Sequence, residues 1–173
     1  MLEKVLHARG SYLRDAVFSA SDGVITTFAV VAGSTGAALG ANVVIILGFA
    51  NLLADGFSMA SGTYLGVKSE IEFEKAEGDK HASEASPFKQ GLVTFLSFNF
   101  AGLIPLFPYI LNIRPRFYTS LFLVFFAMFV IGAIKGKYTR KSRVRSGVEM
   151  LLIGGFAAFV AYGVGFLIDR YMI

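Results

Sequence analysis

The sequence predicts an all-α membrane protein, a single transmembrane domain over residues 1–173 built from five transmembrane helices. Hydrophobic residues make up 55 % of the chain and charged residues only 16 %, outside the range usual for soluble domains. The charges are also confined. Residues 16–67 hold only Asp22 and Asp55, while 90–113, 117–134 and 150–168 hold none. A bilayer core needs about 20 helical residues, so the first gap fits two crossings and each of the others fits one.

Helix 1 is placed at about 16–35. Gly33-Ser34-Thr35-Gly36 and Gly40-Ala41-Asn42 supply the turn chemistry that divides the long gap. Asp22 near the start of this helix, with no plain apolar run behind it, argues against a secretory signal peptide. Helix 2 occupies about 42–67 and carries Asp55. Helix 3, at about 90–111, contains Pro105 and Pro108, which break or kink a helix and free carbonyls that need other donors. Asn99, one to two turns earlier, either ties helices together or faces a path. Helices 4 and 5, at about 117–135 and 148–168, carry charge only where they flank their connecting loop, at Lys135 and Glu149.

Lys and Arg set the expected orientation. The 4-to-5 loop KGKYTRKSRVR holds six of them, the 2-to-3 connection holds Lys68, Lys75, Lys80 and Lys89, and the N-terminus holds Lys4, Arg9 and Arg14. All lie on one side of a five-helix layout; the other side has Arg114, Arg116 and Arg170. The positive-inside rule then puts the N-terminus in the cytoplasm and the C-terminus outside. A topological anchor explains the basic loop without nucleic acid, with anionic membrane lipid as its further candidate partner. Cysteine is absent, which excludes disulfides and thiolate metal sites. No nucleophile and base pair or phosphate loop is present, so an enzyme is not expected.

An acid inside a membrane span is costly and marks an ion, proton or substrate path. Asp22 and Asp55 have no Lys or Arg within any span to neutralise them, which favours function over structure for both. Counted from the helix ends at 1.5 Å per residue, Asp22 lies level with Met59, and Asp55 about 6 Å deeper. Asn51, Asp55, Met59 and Thr63 recur every four residues, forming one stripe of oxygen and sulfur donors. Gly23 and Gly56, each following an acid, let a neighbouring backbone approach or let the helix open around an ion. Oxygens combined with a thioether suit a borderline ion such as Fe²⁺ better than Mg²⁺ or Ca²⁺, although a lone Met on a helix is more often packing.

LRDAVFSASDGVITTFAVVAG (13–33) with NLLADGFSMASGTYLGVKSE (51–70) resembles the first two helices of the vacuolar iron transporter family. FLSFNFAGLIPLFPYIL (95–111) and LLIGGFAAFVAYGVG (151–165) are similar to its third and fifth. The resemblance implies a homodimer of five-helix subunits that exports Fe²⁺, and often Mn²⁺, from the cytosol in exchange for protons. The implied path lies between the subunits, with metal bound at Asp22, Asp55 and Met59. No resident cofactor is implied, because the metal is the cargo.

The chain departs from that pattern in three places. Ser19-Ala20-Ser21-Asp22-Gly23 stands where members usually read Gly-Ala-Asn-Asp-Gly, and Thr63 stands where a Glu is common. Asn51 stands at the place of an acid in some members. The connection between helices 2 and 3 is about twenty residues, in place of a Glu-rich metal-collecting domain. It still carries Glu70, Glu72, Glu74, Glu77, Asp79, His81 and Glu84. Glu70, Glu74 and Glu77 share a face if helix 2 continues beyond the membrane, which makes them recruiting candidates, although four lysines in the same stretch favour a solvated charged helix. His7 and His81 are isolated and read as surface residues. GAALG (36–40), GTYLG (62–66) and GAIKG (132–136) match the small-xxx-small packing pattern, which arises easily in a chain with 19 glycines.

The expected function is therefore proton-coupled export of Fe²⁺ or Mn²⁺. A passive metal channel and a transport-inactive scaffold or partner subunit are the alternatives. Short loops favour a prokaryotic plasma membrane.

Overall fold

A computed structural model describes residues 2–78 and 86–172. Its elements are α1 (Leu2–Gly36), α2 (Ala41–Ala76), α3 (Pro87–Gly102), a 3-10 turn (Ile104–Leu106), α4 (Phe107–Ile110), α5 (Arg116–Tyr138) and α6 (Arg143–Met172). Five stretches are long and apolar enough to cross a membrane: Gly10–Gly36, Ala41–Ala76, Pro87–Ile110, Arg116–Tyr138 and Arg143–Tyr171. These are the five expected spans, and the protein is an integral, multi-pass, all-helical membrane protein.

The helices outrun their expected ends. α2 continues to Ala76 instead of stopping near residue 67, and α6 begins at Arg143. Charge marks where hydrocarbon ends, but a helix carries on into water while its backbone bonds are made. Here Lys68 and Glu72 pair at 3.8 Å across one exposed turn. Gly78 then ends α2 at φ +80°, a conformation that favours glycine, with its N–H on the Lys75 carbonyl.

The third span is broken, as its prolines require. α3 stops at Gly102, a 3-10 turn carries Pro105, and α4 resumes at Phe107. The Pro105 carbonyl accepts the buried Ser120 hydroxyl of α5 at 2.8 Å, and the Tyr109 hydroxyl lies 3.2 Å from Thr35 Oγ1 at the end of α1. A break that would otherwise leave polar groups bare in hydrocarbon is thus tied to two neighbouring helices.

α1 is the hub. It packs on α2, α3, α5 and α6, while α2 also packs on α3, and α5 on α6. Val24, Phe28 and Val31 of α1 meet Phe98, Leu106, Val124 and Met128 in the core, and Phe28 stacks on Phe117 with centroids 6.0 Å apart.

Only some of the spaced glycines are packing seams. In GAIKG, a Cβ on Gly132 would strike the Ser146 carbonyl, and one on Gly136 would lie 3.1 Å from Arg143 Cα, so α5 and α6 close tightly there. In GAALG, Gly36 abuts the Tyr162 carbonyl at 2.8 Å and Gly40 is open. In GTYLG, neither Gly62 nor Gly66 meets anything within 4 Å.

Candidate functional site

Asp22 lies midway along α1 and Asp55 midway along α2, each half-buried. The glycine after each acid has a definite task. A Cβ on Gly23 would collide with the Phe98 carbonyl, and one on Gly56 with the Asn99 amide. Both glycines therefore receive the same turn of α3, which settles into the groove between α1 and α2. Gly102 extends this seam, with its Cβ position 2.9 Å from the Gly23 carbonyl. Both helices stay continuous at their glycines. Of the two roles open to Gly23 and Gly56, close approach is the one realised.

Sharing one turn of α3 brings Asp22 and Asp55 to the same level, and each carboxylate lies in reach of the other's charge. This corrects the depth reckoned from helix ends, which set Asp55 a turn deeper than Asp22. The reckoning took Ala16 and Val67 as fixed edges, whereas the register is set where the glycines meet α3. Met59 follows one turn after Asp55 on the same face of α2. None of the described ion pairs, Arg14–Asp15, Lys68–Glu72 and Lys135–Glu149, involves Asp22 or Asp55.

The rest of the α2 stripe is divided. Thr63 is turned toward α3, its hydroxyl accepting from Thr94 Oγ1 at 3.2 Å. Met59 is partly buried and packs against the apolar core. Asn51 keeps a buried Nδ2 with no partner. Asn51 and Asp55 both line a groove of about 820 Å³, bounded by Ser34 of α1, Leu47 of α2 and Ala161 and Ile168 of α6. The lining is otherwise mostly apolar, so Asn51, Asp55 and Ser34 are its polar groups.

The acidic end of α2 is less organised. Glu70, Glu72 and Glu77 are exposed and Glu74 is half-buried, with Glu77 just past the helix as its cap. Among the described residues, no group of three or more His, Cys, Asp or Glu could hold a metal. Asp79, His81 and Glu84, and the side chain of His7, lie outside the described residues. Neither the recruiting candidates nor the Asp22–Asp55 pair is a complete metal site within one chain. The pair offers two carboxylates, with the Met59 thioether a turn away.

Two residues emerge that sequence reasoning underused. Asn99 lies over Gly56, beside Asp55, while its Nδ2 donates to the Phe95 carbonyl at 2.9 Å. Asp15 is only 7 % exposed; its Oδ1 accepts from Arg14 Nε at 3.0 Å and its Oδ2 is buried without a partner. The fully buried Ser19 hydroxyl, one turn on, also lacks a partner. Asp15, Ser19, Asp22 and Thr26 share one face of α1 at spacings of four, three and four. That spacing is readable in the sequence, where Asp15 was not singled out.

Comparison with known proteins shows the family. The chain is similar to a Toxoplasma gondii protein named vacuolar iron transporter, 27 % identical over 234 residues, covering 96 % of this chain and 78 % of the relative. It is similar to vacuolar iron transporter homolog 5 of rice, 28 % identical over 168 residues, covering 91 % of this chain and 81 % of the relative. Vacuolar iron transporter homolog 2 of Arabidopsis thaliana is 27 % identical over 171 residues, covering 94 % and 87 %. The Toxoplasma alignment, over 234 residues, is longer than the 173-residue chain itself, whereas the two homolog alignments, over 168 and 171, are not. The profile of the VIT family matches residues 13–85 and 78–166, two pieces that meet at the connection between α2 and α3. The chain belongs to the VIT family.

Proposed function

We propose that the protein transports a divalent transition metal, Fe²⁺ and also Mn²⁺, out of the cytosol in exchange for protons, through a path formed where two copies meet along α1 and α2. The observation that carries this reading is the Asp22–Asp55 pair, two carboxylates at one level of the membrane with no cationic side chain among their described ion pairs. Such a pair is costly unless a cation or protons occupy it. Metal and protons compete for the same oxygens, and that competition supplies the coupling. The relatives' names, iron transporters, support iron as cargo and speak for transport, not enzymatic catalysis.

A second copy is supported by the surface of α2. Ala50, Ala54, Ser58, Gly62 and Gly66 form an exposed line of small residues at four-residue spacing, directly beside the Asn51–Asp55–Met59 line. Two such helices packed about a two-fold axis bring four carboxylates and two thioethers to one axis. That donor set answers the incompleteness of the site within one chain. Positive-inside orientation places the acidic end of α2 in the cytosol, where Glu70, Glu74 and Glu77 attract metal weakly. Short connections fit a prokaryotic plasma membrane.

The test is flux of Fe²⁺, Mn²⁺ and Zn²⁺ in liposomes under an imposed pH gradient, for the native chain beside Asp22→Asn and Asp55→Asn. Gradient-driven Fe²⁺ flux lost in both variants, with both still folded, is the expected result. Metal flux indifferent to the gradient identifies a channel. Full activity of folded Asp22→Asn overturns the proposal.

A further inference from the structure

α3 and α5 each pack on α1 but make no extended contact with each other. Between them lies a groove of about 1000 Å³ whose floor is α1 and whose walls are α3 and α5. Its floor includes the small residues Gly10, Ala16 and Ala20 beside Leu13 and Val17, and its walls include Val93 and Phe100 on one side and Ile134 on the other. From Tyr12 to Ala20 the floor runs eight residues, about 12 Å at the helical rise, close to one leaflet of a bilayer core. Ala16 and Ala20 lie roughly half a turn around α1 from Asp22, so this groove is on the opposite side of the hub from the paired carboxylates.

The mouth of the groove carries a cation. Tyr138, which lines it at the end of α5, has Lys137 Nζ 6.0 Å from its ring centroid. Arg140 and Lys141 follow in the exposed turn between α5 and α6. Two described carboxylates near this end are paired with other cations, Glu149 with Lys135 at 3.5 Å and Asp15, through Oδ1, with Arg14. A membrane-facing slot with an apolar interior, tyrosines at its mouth and, above it, cations that enter none of the described ion pairs matches one occupant. We infer that the groove between α3 and α5 binds an anionic phospholipid, its acyl chain lying on Ala16 and Ala20 and its phosphate held by Lys137 and Arg140. The occupant fills the space that the missing α3–α5 contact leaves, and it supports the hub helix from behind. The inference rests on the membrane architecture and is independent of which ion the protein moves.

The experiment is native mass spectrometry of the full chain, stripped of copurified lipid and titrated with phosphatidylglycerol or with phosphatidylcholine of the same acyl chains. The expected result is retention of phosphatidylglycerol at lower lipid concentration. Lys137→Gln with Arg140→Gln then removes the preference, by about fivefold for each cation at roughly 1 kcal/mol apiece. Ala16→Phe, which fills the floor, abolishes retention of both lipids. Ile134→Trp narrows the slot from an exposed position and gives the same readout should Ala16→Phe fail to fold. Equal retention of the two lipids by the native chain overturns the inference. So does unchanged phosphatidylglycerol retention in a folded variant with the floor or wall filled.

Discussion

The α5–α6 hairpin and the α1–α2 pair are built from similar residues and do opposite things. In the hairpin, Gly132, Gly136 and Gly147 let two backbones close on each other, with Gly147 fitting against the Phe129 ring and carbonyl. No acid lies within the membrane portion of α5, and the single Glu149 of early α6 is paired with Lys135 at the hairpin's mouth. In the α1–α2 pair the glycines admit a third helix, and an acid precedes each of them. Glycine spacing alone therefore does not reveal a role. What distinguishes the two regions is whether an acid precedes the glycine: Ile131, Lys135 and Ser146 precede the hairpin glycines, whereas Asp22 and Asp55 precede Gly23 and Gly56.

The difference predicts a separation of stability from activity. Replacing Gly132 by Leu drives a side chain into the Ser146 carbonyl and the Gly147 Cα 2.9 Å away. Backbone cannot yield as a side chain does, so the cost reaches the upper end of overpacking, about 3 kcal/mol. Thermal melting in detergent is expected to show a large loss of stability or no folded protein. A normal melting temperature would mean that the hairpin is not the scaffold.

The converse change is Asp22→Asn, which keeps shape and removes a charge. Flux is expected to fall by about 100-fold or more, since a site built on carboxylates loses its ion with one of them. Melting temperature should hold or rise, because one of two like charges at one level has gone. A drop in stability parallel to the drop in flux would erase the distinction between the two regions.

Gly56→Ala tests the seam itself, since its new methyl meets the Asn99 amide, the end of a flexible side chain. A cost of about 1 kcal/mol and a flux reduced about tenfold are expected, in keeping with modest overpacking beside the site. Adding Asn99→Ala should recover most of the stability, and measurement of the double-mutant cycle reads the contact directly. If the two changes simply add, Asn99 does not lie on Gly56.

The five spans and the two acids were legible because burial in lipid imposes strong rules on composition, and an acid among apolar residues stands out without a structure. The proline break was legible for a similar reason, through the missing N–H groups of Pro105 and Pro108. The partner of the freed region, Ser120, was not, because nothing local couples residue 120 to residue 105. Register was hidden as well. Charge boundaries placed Asp22 level with Met59, whereas contacts of Gly23 and Gly56 with one turn of α3 place it level with Asp55. The buried state of Asp15 depends on how the ends of three helices converge, which composition does not encode.

The smallest effect expected separates the donor stripe from its neighbours. Thr63 shares the spacing of Asp55 and Met59, yet its hydroxyl is spent on Thr94 of α3. Thr63→Val removes one hydrogen bond between two hydroxyls and leaves the Thr94 donor without this partner, at a cost of about 1 kcal/mol. Flux should stay within about twofold of native, because no group that meets the ion has changed. If Thr63→Val lowers flux as far as Asp55→Asn does, the threonine hydroxyl serves the ion and the Thr94 contact is secondary. If flux is kept and stability alone falls, the stripe on α2 ends functionally at Met59, and the Thr63–Thr94 bond belongs with the α5–α6 glycines as part of the scaffold.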